Sequence, residues 1–313
     1  MGVAVAVLVI GFVHRTAVDA GSDSLAAADG EWLVIAVSAT VLMWVAGAFA
    51  QLGSMPLPPP VGRLFAVQLA ASFANHVLPA GSGGIAVNMR FMRRLGMSTD
   101  AAAGAVGLNA LAGFLTHGAL LALIMISAPS TVASIDRRVH WPAVSHLSSA
   151  AVGIVMAAAS IALVALTTVL LRRAGRRSRA RSAAGVSRLA SELRQLGVVL
   201  RHPGRALALW GGSLAAPLLH AVILFAVLRS LDVPVTVGTV LLIYVVVSAV
   251  SAVVPSPGAI GSLDVALVAG LAVSGVPSTA ALATVLGYRL ITVWLPLLPT
   301  GTVLALLLRS RII

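Results

Sequence analysis

Apolar stretches with few or no charged side chains recur along the whole chain, and several reach the roughly 20 residues that a helix needs to cross the ~30 Å hydrocarbon core of a bilayer. They run from Trp32 to Ala50, Val61 to Ala80, Ala101 to Ser127, Leu147 to Leu171, Ala206 to Leu228, Thr236 to Val254 and Ser278 to Leu308. Only 10% of the 313 residues are charged, against about 25% in soluble domains. With 59% hydrophobic residues and a mean hydropathy of +1.04, a soluble globular enzyme is excluded and a polytopic membrane protein is expected.

Met1 to Val13 is too short to span comfortably and its n-region lacks Arg. It reads as a shortened membrane helix rather than a cleaved signal peptide, although Ala26, Ala27 and Ala28 lie downstream. Two further apolar pieces, Ile85 to Met92 and Ile260 to Val273, follow Pro/Gly breaks. Their length suits the returning arms of re-entrant hairpins, broken at Pro79, Gly81, Gly83 and Gly84 in the first and at Pro255, Pro257, Gly258 and Gly261 in the second. The expected fold is all-α, one transmembrane domain over residues 1–313 with seven or eight transmembrane helices and two re-entrant hairpins of inverted topology.

All 21 basic residues are Arg, set against nine acids. The absence of Lys excludes Walker-type phosphate loops and Schiff-base chemistry, and the absence of Cys excludes thiol nucleophiles and thiolate metal sites. Ten Arg fall between Arg172 and Arg205, against the single Glu192, so this loop and the C-terminus are expected on the cytoplasmic side of a bacterial membrane. Arg90, Arg93 and Arg94 then lie inside, and Asp19, Asp23, Asp29 and Glu31 outside. Arg137 and Arg138 fall outside, a breach of the rule offset in part by Asp136. The loop reads first as a topogenic signal and second as a patch for anionic inner-leaflet lipids. No aromatic residue interleaves its Arg run, which argues against nucleic acid.

The chain also resembles itself. An apolar run, a Pro/Gly break at Pro79-Ala80-Gly81-Ser82-Gly83-Gly84, a short arm and Gly96-Met97-Ser98-Thr99 opening a long helix are followed later by the same order. There the break is Pro255-Ser256-Pro257-Gly258-Ala259-Ile260-Gly261 and the helix opens at Gly275-Val276-Pro277-Ser278. Setting Gly96 on Gly275 puts Thr99 on Ser278, Val106 on Val285 and Leu111 on Leu290, with Ser or Thr expected to cap each long helix. The units cover about 61–127 and 236–309, and the odd number of crossings between them inverts the second. Such pairs of broken helices suit alternating access.

At Asn75-His76-Val77-Leu78-Pro79-Ala80-Gly81, at Pro255 to Asp264, and at Gly287-Tyr288-Arg289-Leu290 with Leu295-Pro296, the sequence resembles the membrane domain of the lysylphosphatidylglycerol synthase/flippase family over roughly Leu33 to Arg309. The resemblance implies a lipid translocator. In the best-known members a soluble aminoacyl-transferase module follows; this sequence ends at Ile313, directly after the last helix, so no synthase activity is expected. The family usually has Glu where Asp264 stands. It often has an acid and an Arg where Ile85 and Asn88 stand, and Glu-Arg where Asn109 and Ala110 stand, so the first half is poor in charge.

Asp264 and Arg289 lie deep by hydropathy, where each charge costs at least ~2.5 to 3.5 kcal/mol, and intramembrane ionisable groups mark substrate sites. Arg289, steadied by Asp264, is the expected phosphate ligand; a structural ion pair is the alternative. Tyr288, Ser256, Ser262 and Thr292 would line that site, and Asn75, His76, Ser82 and Asn88 its counterpart in the other unit. His76 is read as a proton carrier or as simply hydrogen-bonded, and His117 as packing. No cofactor or metal is expected. The function expected is flippase-like movement of a phospholipid or polyprenyl-linked lipid, by a transporter and not an enzyme. A lipid-binding accessory subunit is the alternative, and an intramembrane serine protease using Ser82 with His117, or a transferase, the remote ones. The expected partners are the lipid substrate, anionic lipids at Arg172–Arg205 and a second copy of the chain.

Overall fold

The computed structural model describes residues 27–57, 59–78, 82–127, 201–251 and 261–313. The expectations for Met1 to Val13, for Leu147 to Leu171, for the Arg-rich segment as far as residue 200, and for Pro79, Gly81, Pro255, Ser256, Pro257 and Gly258 lie outside them. Among the described residues the regular structure is all helical: α1 (Gly30–Ser54), α2 (Val61–Val77), α3 (Ser82–Arg94), α4 (Thr99–Ser127), α5 (Pro203–Ser230), α6 (Val237–Ser251), α7 (Ser262–Val273), α8 (Ser278–Arg289), a π turn (Leu290–Trp294) and α9 (Leu295–Arg309).

Four runs among these residues are long and apolar enough to cross a membrane: Gly30–Ser54, Thr99–Ile124, Pro203–Ser230 and the continuous Ser278–Arg309. Large apolar side chains face outward on three of them, with Leu298 82%, Leu207 75% and Val34 66% exposed, an arrangement that lipid makes favourable. The chain is a multi-pass membrane protein. One stretch expected to span forms a shorter helix, the 17 residues of α2, and α6 has 15 residues among the described ones. The short arms are helices too, 13 residues in α3 and 12 in α7.

Helices α1 and α5 pack antiparallel along their whole length. The Asp29 N–H donates to the Ser230 carbonyl at one end, 2.9 Å away, and an Arg205 guanidinium nitrogen donates to the Pro56 carbonyl at the other, 3.0 Å away. Small residues permit the approach: a Cβ on Gly212 would stand 2.4 Å from the Ala46 carbonyl oxygen, and one on Gly53 2.4 Å from the Leu209 nitrogen. Helices in lipid gain most of their mutual attraction from such backbone contact.

Two buried clusters flank this pair. One joins the start of α2 (Leu64), the end of α3 (Met92), the start of α4 (Ala102) and the end of α9 (Leu307). The other joins the ends of α4 (Ile124) and α5 (Leu228), the start of α6 (Val240), the end of α7 (Leu271) and the start of α8 (Ala281). Helix α4 and the run from α8 to α9 therefore each begin in one cluster and end in the other.

The turns from α3 to α4 and from α7 to α8 have the same hydrogen bonds. Gly96 N–H donates to the Arg93 carbonyl and Met97 N–H to that of Met92; Gly275 N–H donates to the Ala272 carbonyl and Val276 N–H to that of Leu271. Both glycines have positive φ, +86° and +101°, as a Schellman ending requires. Met97 covers Met92 and Val276 covers Leu271 in their respective clusters. The expected cap is displaced by one residue: Ser98, not Thr99, accepts the Ala101 N–H. In the second turn Pro277 holds that place without a side-chain cap.

Candidate functional site

Asp264 lies in the first turn of α7 and Arg289 ends α8. Their side chains, 24% and 10% exposed, form an ion pair in which Arg289 Nε donates to Asp264 Oδ1. The other carboxylate oxygen, Oδ2, accepts the Gly261 N–H at 2.9 Å. Gly261 has φ +94°, a conformation that costs only glycine nothing, so it turns the chain and presents its N–H to the acid three residues on. The same carboxylate thus caps α7 and neutralises Arg289. Ser262 opens α7 beside this cap.

Directly after Arg289 the helix widens into the π turn, where the Leu295 N–H reaches back to the Leu290 carbonyl. Pro296 and Pro299 lie in the next two turns and cannot donate to the ordinary ladder. Single π turns often accompany functional residues. Thr292 returns its hydroxyl to the Tyr288 carbonyl, 2.7 Å away, so it lines the helix rather than the site.

A ring cluster adjoins the pair. Tyr288 Oη and His220 Nδ1 are 2.8 Å apart, His220 stacks on Tyr244 with centroids 5.2 Å apart, and Tyr244 and Tyr288 lie 6.4 Å apart. His76, at the end of α2, feels the charge of Arg289, as does His220. Its Nδ1 is 2.7 Å from the Ser72 carbonyl, which only accepts, so the proton stands on Nδ1. His76 thus turns back on its own helix and does not line the cavity that Asn75 and Asn88 share.

Those two residues sit in a separate cavity of about 300 Å³ between α1, α2, α3 and α4. Asn75 Oδ1 accepts the Gly84 N–H at 2.6 Å, Asn88 Nδ2 donates to the Gly84 carbonyl, and Gln68 Nε2 donates to Asn88 Oδ1. On the opposite wall Asn109 Nδ2 donates to Gln51 Oε1. Gly83 and Gly84, expected as breaks, are instead helical residues in the first turn of α3. They are small because α2 runs against them: a Cβ on Gly83 would fall 2.1 Å from the Ala74 carbonyl oxygen, and one on Gly84 2.7 Å from the Asn75 amide.

Sequence reasoning found the Asp264 and Arg289 pair and Tyr288, and missed His220, Tyr244, Gln51 and Gln68. A lone polar residue on an apolar helix carries no periodic signal, and these meet their partners only in tertiary packing. His117 Nε2 lies 3.0 Å from the Val245 carbonyl and 3.3 Å from Ser248 Oγ, which ties α4 to α6, as the packing reading expects.

No match was found among curated proteins. The model of the lysylphosphatidylglycerol synthase TM region matches residues 1–300, beginning well before the resemblance at Leu33, and the chain belongs to that family.

Proposed function

We propose that the chain moves an amphiphilic lipid, a phospholipid or a polyprenyl-linked lipid, between the leaflets of a bacterial cytoplasmic membrane, as a transporter and not an enzyme. The observation that carries this reading is the ion pair of Asp264 and Arg289, set among apolar helices at the start of α7, with His76 at the end of α2 within its electrostatic reach. A charge at membrane depth is costly, and such groups are placed where polar cargo passes. Arg289 would hold a lipid phosphate with its guanidinium fork, Asp264 would keep it oriented, and the Tyr288, His220 and Tyr244 rings would wall the groove.

On this reading α2 with α3 and α6 with α7 are re-entrant hairpins that enter from opposite sides, the two halves of an inverted repeat. The identical hydrogen bonds at Gly96 and Gly275 and the crossed attachment of the long helices support it. Arg63, Arg90, Arg93, Arg94 and Arg309 belong to elements that meet at the Leu64 and Leu307 cluster, and Arg205 bonds the Pro56 carbonyl beside Met55 of that cluster, which favours that end as cytoplasmic together with the Arg172–Arg205 loop and the C-terminus. Seven or eight crossings, anionic-lipid contact at that loop and a homodimer complete the proposal.

Leaflet exchange of short-chain fluorescent phospholipids and of a polyprenyl phosphate in proteoliposomes tests it. Exchange in the wild type that falls to the protein-free background in Arg289→Ala supports transport. Correctly inserted wild-type protein that exchanges none of these lipids overturns it, and an accessory lipid-binding role takes its place.

A further inference from the structure

The matching turns at Gly96 and Gly275 set a register between the two halves, and that register gives the cavity of the first half a counterpart. With Gly96 on Gly275, Ile85 falls on Asp264 and Ala110 on Arg289, and both Ile85 and Ala110 line the cavity. The positions that carry the ion pair in the second half carry two uncharged residues of the cavity wall in the first. Among the described residues no charged side chain lines that cavity.

Its walls carry carboxamides instead, and part of their hydrogen-bonding capacity is unused. Among the described residues Asn75 Nδ2, Gln68 Oε1 and Asn109 Oδ1 have no protein partner, while the other atoms of these groups hold Gly84, Asn88 and Gln51 in place. Trp44 also lines the cavity, and its indole N–H is buried without a partner. That N–H has almost no accessible surface, so it belongs to the wall and does not face the opening. The donor of Asn75 and the acceptors of Gln68 and Asn109, all neutral, suit groups that both give and take a hydrogen bond, which among lipid head groups are hydroxyls. An ionic head group would enter with no opposite charge to meet it. The volume, about 300 Å³, is at the small end of ligand pockets, about 300 to 1,000 Å³.

We propose that this cavity binds the uncharged, hydroxyl-rich part of a lipid head group, a glycosyl or polyol moiety. The inference rests on the lipid-handling reading of the chain and names the chemistry of its cargo: hydroxyls in the first half, phosphate at Arg289 in the second.

The test is native mass spectrometry of the full-length protein in lauryldimethylamine oxide, which carries no sugar to compete. Digalactosyldiacylglycerol and dioleoylglycerol are compared, with free galactose as a third probe. The glycolipid should bind at least about tenfold more tightly than dioleoylglycerol, the difference one or two neutral hydrogen bonds make. Ala110→Phe fills the cavity from an exposed position and breaks no hydrogen bond, so it should remove the preference while the protein stays folded; Asn109→Leu should weaken it about tenfold. Asp264→Asn should leave it unchanged. Equal binding of the two lipids, an unchanged preference in Ala110→Phe, or competition by galactose at the same concentration each overturns the proposal, the last by assigning a soluble ligand. Loss of glycolipid binding in Asp264→Asn overturns it too, by merging the cavity with the ion pair. Glycolipid binding without leaflet exchange would retain the cavity and remove only the transport reading.

Discussion

Asp264 and Arg289 are joined across the turn from α7 to α8, and the carboxylate that receives the guanidinium also receives the Gly261 N–H. The two substitutions at this pair therefore differ. Asn at 264 keeps an oxygen for the Gly261 N–H and leaves a cation, whereas Ala at 289 leaves a half-buried anion with no counter-charge. Arg289→Ala should cost about 3 kcal/mol or more of stability. The double change Asp264→Asn with Arg289→Leu should recover part of that loss. Thermal unfolding in nanodiscs reads the order, and an Arg289→Ala protein as stable as the wild type would contradict it.

The contact of α1 with α5 predicts a contrast between neighbouring glycines. Gly212→Val drives its side chain into the α1 backbone at Ala46 and Ala50 and should destabilise by about 1 to 3 kcal/mol or more. Gly211→Ala meets nothing within 4 Å and should be neutral or stabilising by up to about 1 kcal/mol, as Ala is favoured over Gly inside helices. Equal effects of the two in thermal unfolding would count against the interface.

Gly96→Ala and Gly275→Ala should each cost about 1 to 2 kcal/mol, because each turn needs a positive φ that other residues resist. The sites are in different clusters, so the double variant should show the sum. A marked difference between the two losses would break the equivalence of the turns.

Asn75→Ala takes the acceptor from the Gly84 N–H at the start of α3. The orphaned donor should lower stability by about 1 to 3 kcal/mol. Proteolysis between α2 and α3 should quicken in step, and an unchanged cleavage rate would show that Asn75 does not secure the start of α3.

The helical class, the long apolar runs and the positions of both long-helix starts were legible because they depend on local rules: hydropathy, glycine and proline. The ion pair was legible because a charge in an apolar run is conspicuous. Gly83 and Gly84 were misread because a glycine that breaks a helix and one that lets another helix approach look identical in sequence; the Ala74 backbone decides between them. The short length of α2 was hidden for a similar reason, since hydropathy continues past Val77 where the helix does not.

The long helices bear on how the two halves can move. Since α4 runs from the Leu64 cluster to the Leu228 cluster and the α8 to α9 run makes the return journey, the halves are linked by two opposed tie-rods. Neither half can withdraw without pulling a rod end from the other's core. On the transport reading proposed above, tilting the rods is the cheap displacement, and a tilt that narrows the space at one cluster widens it at the other.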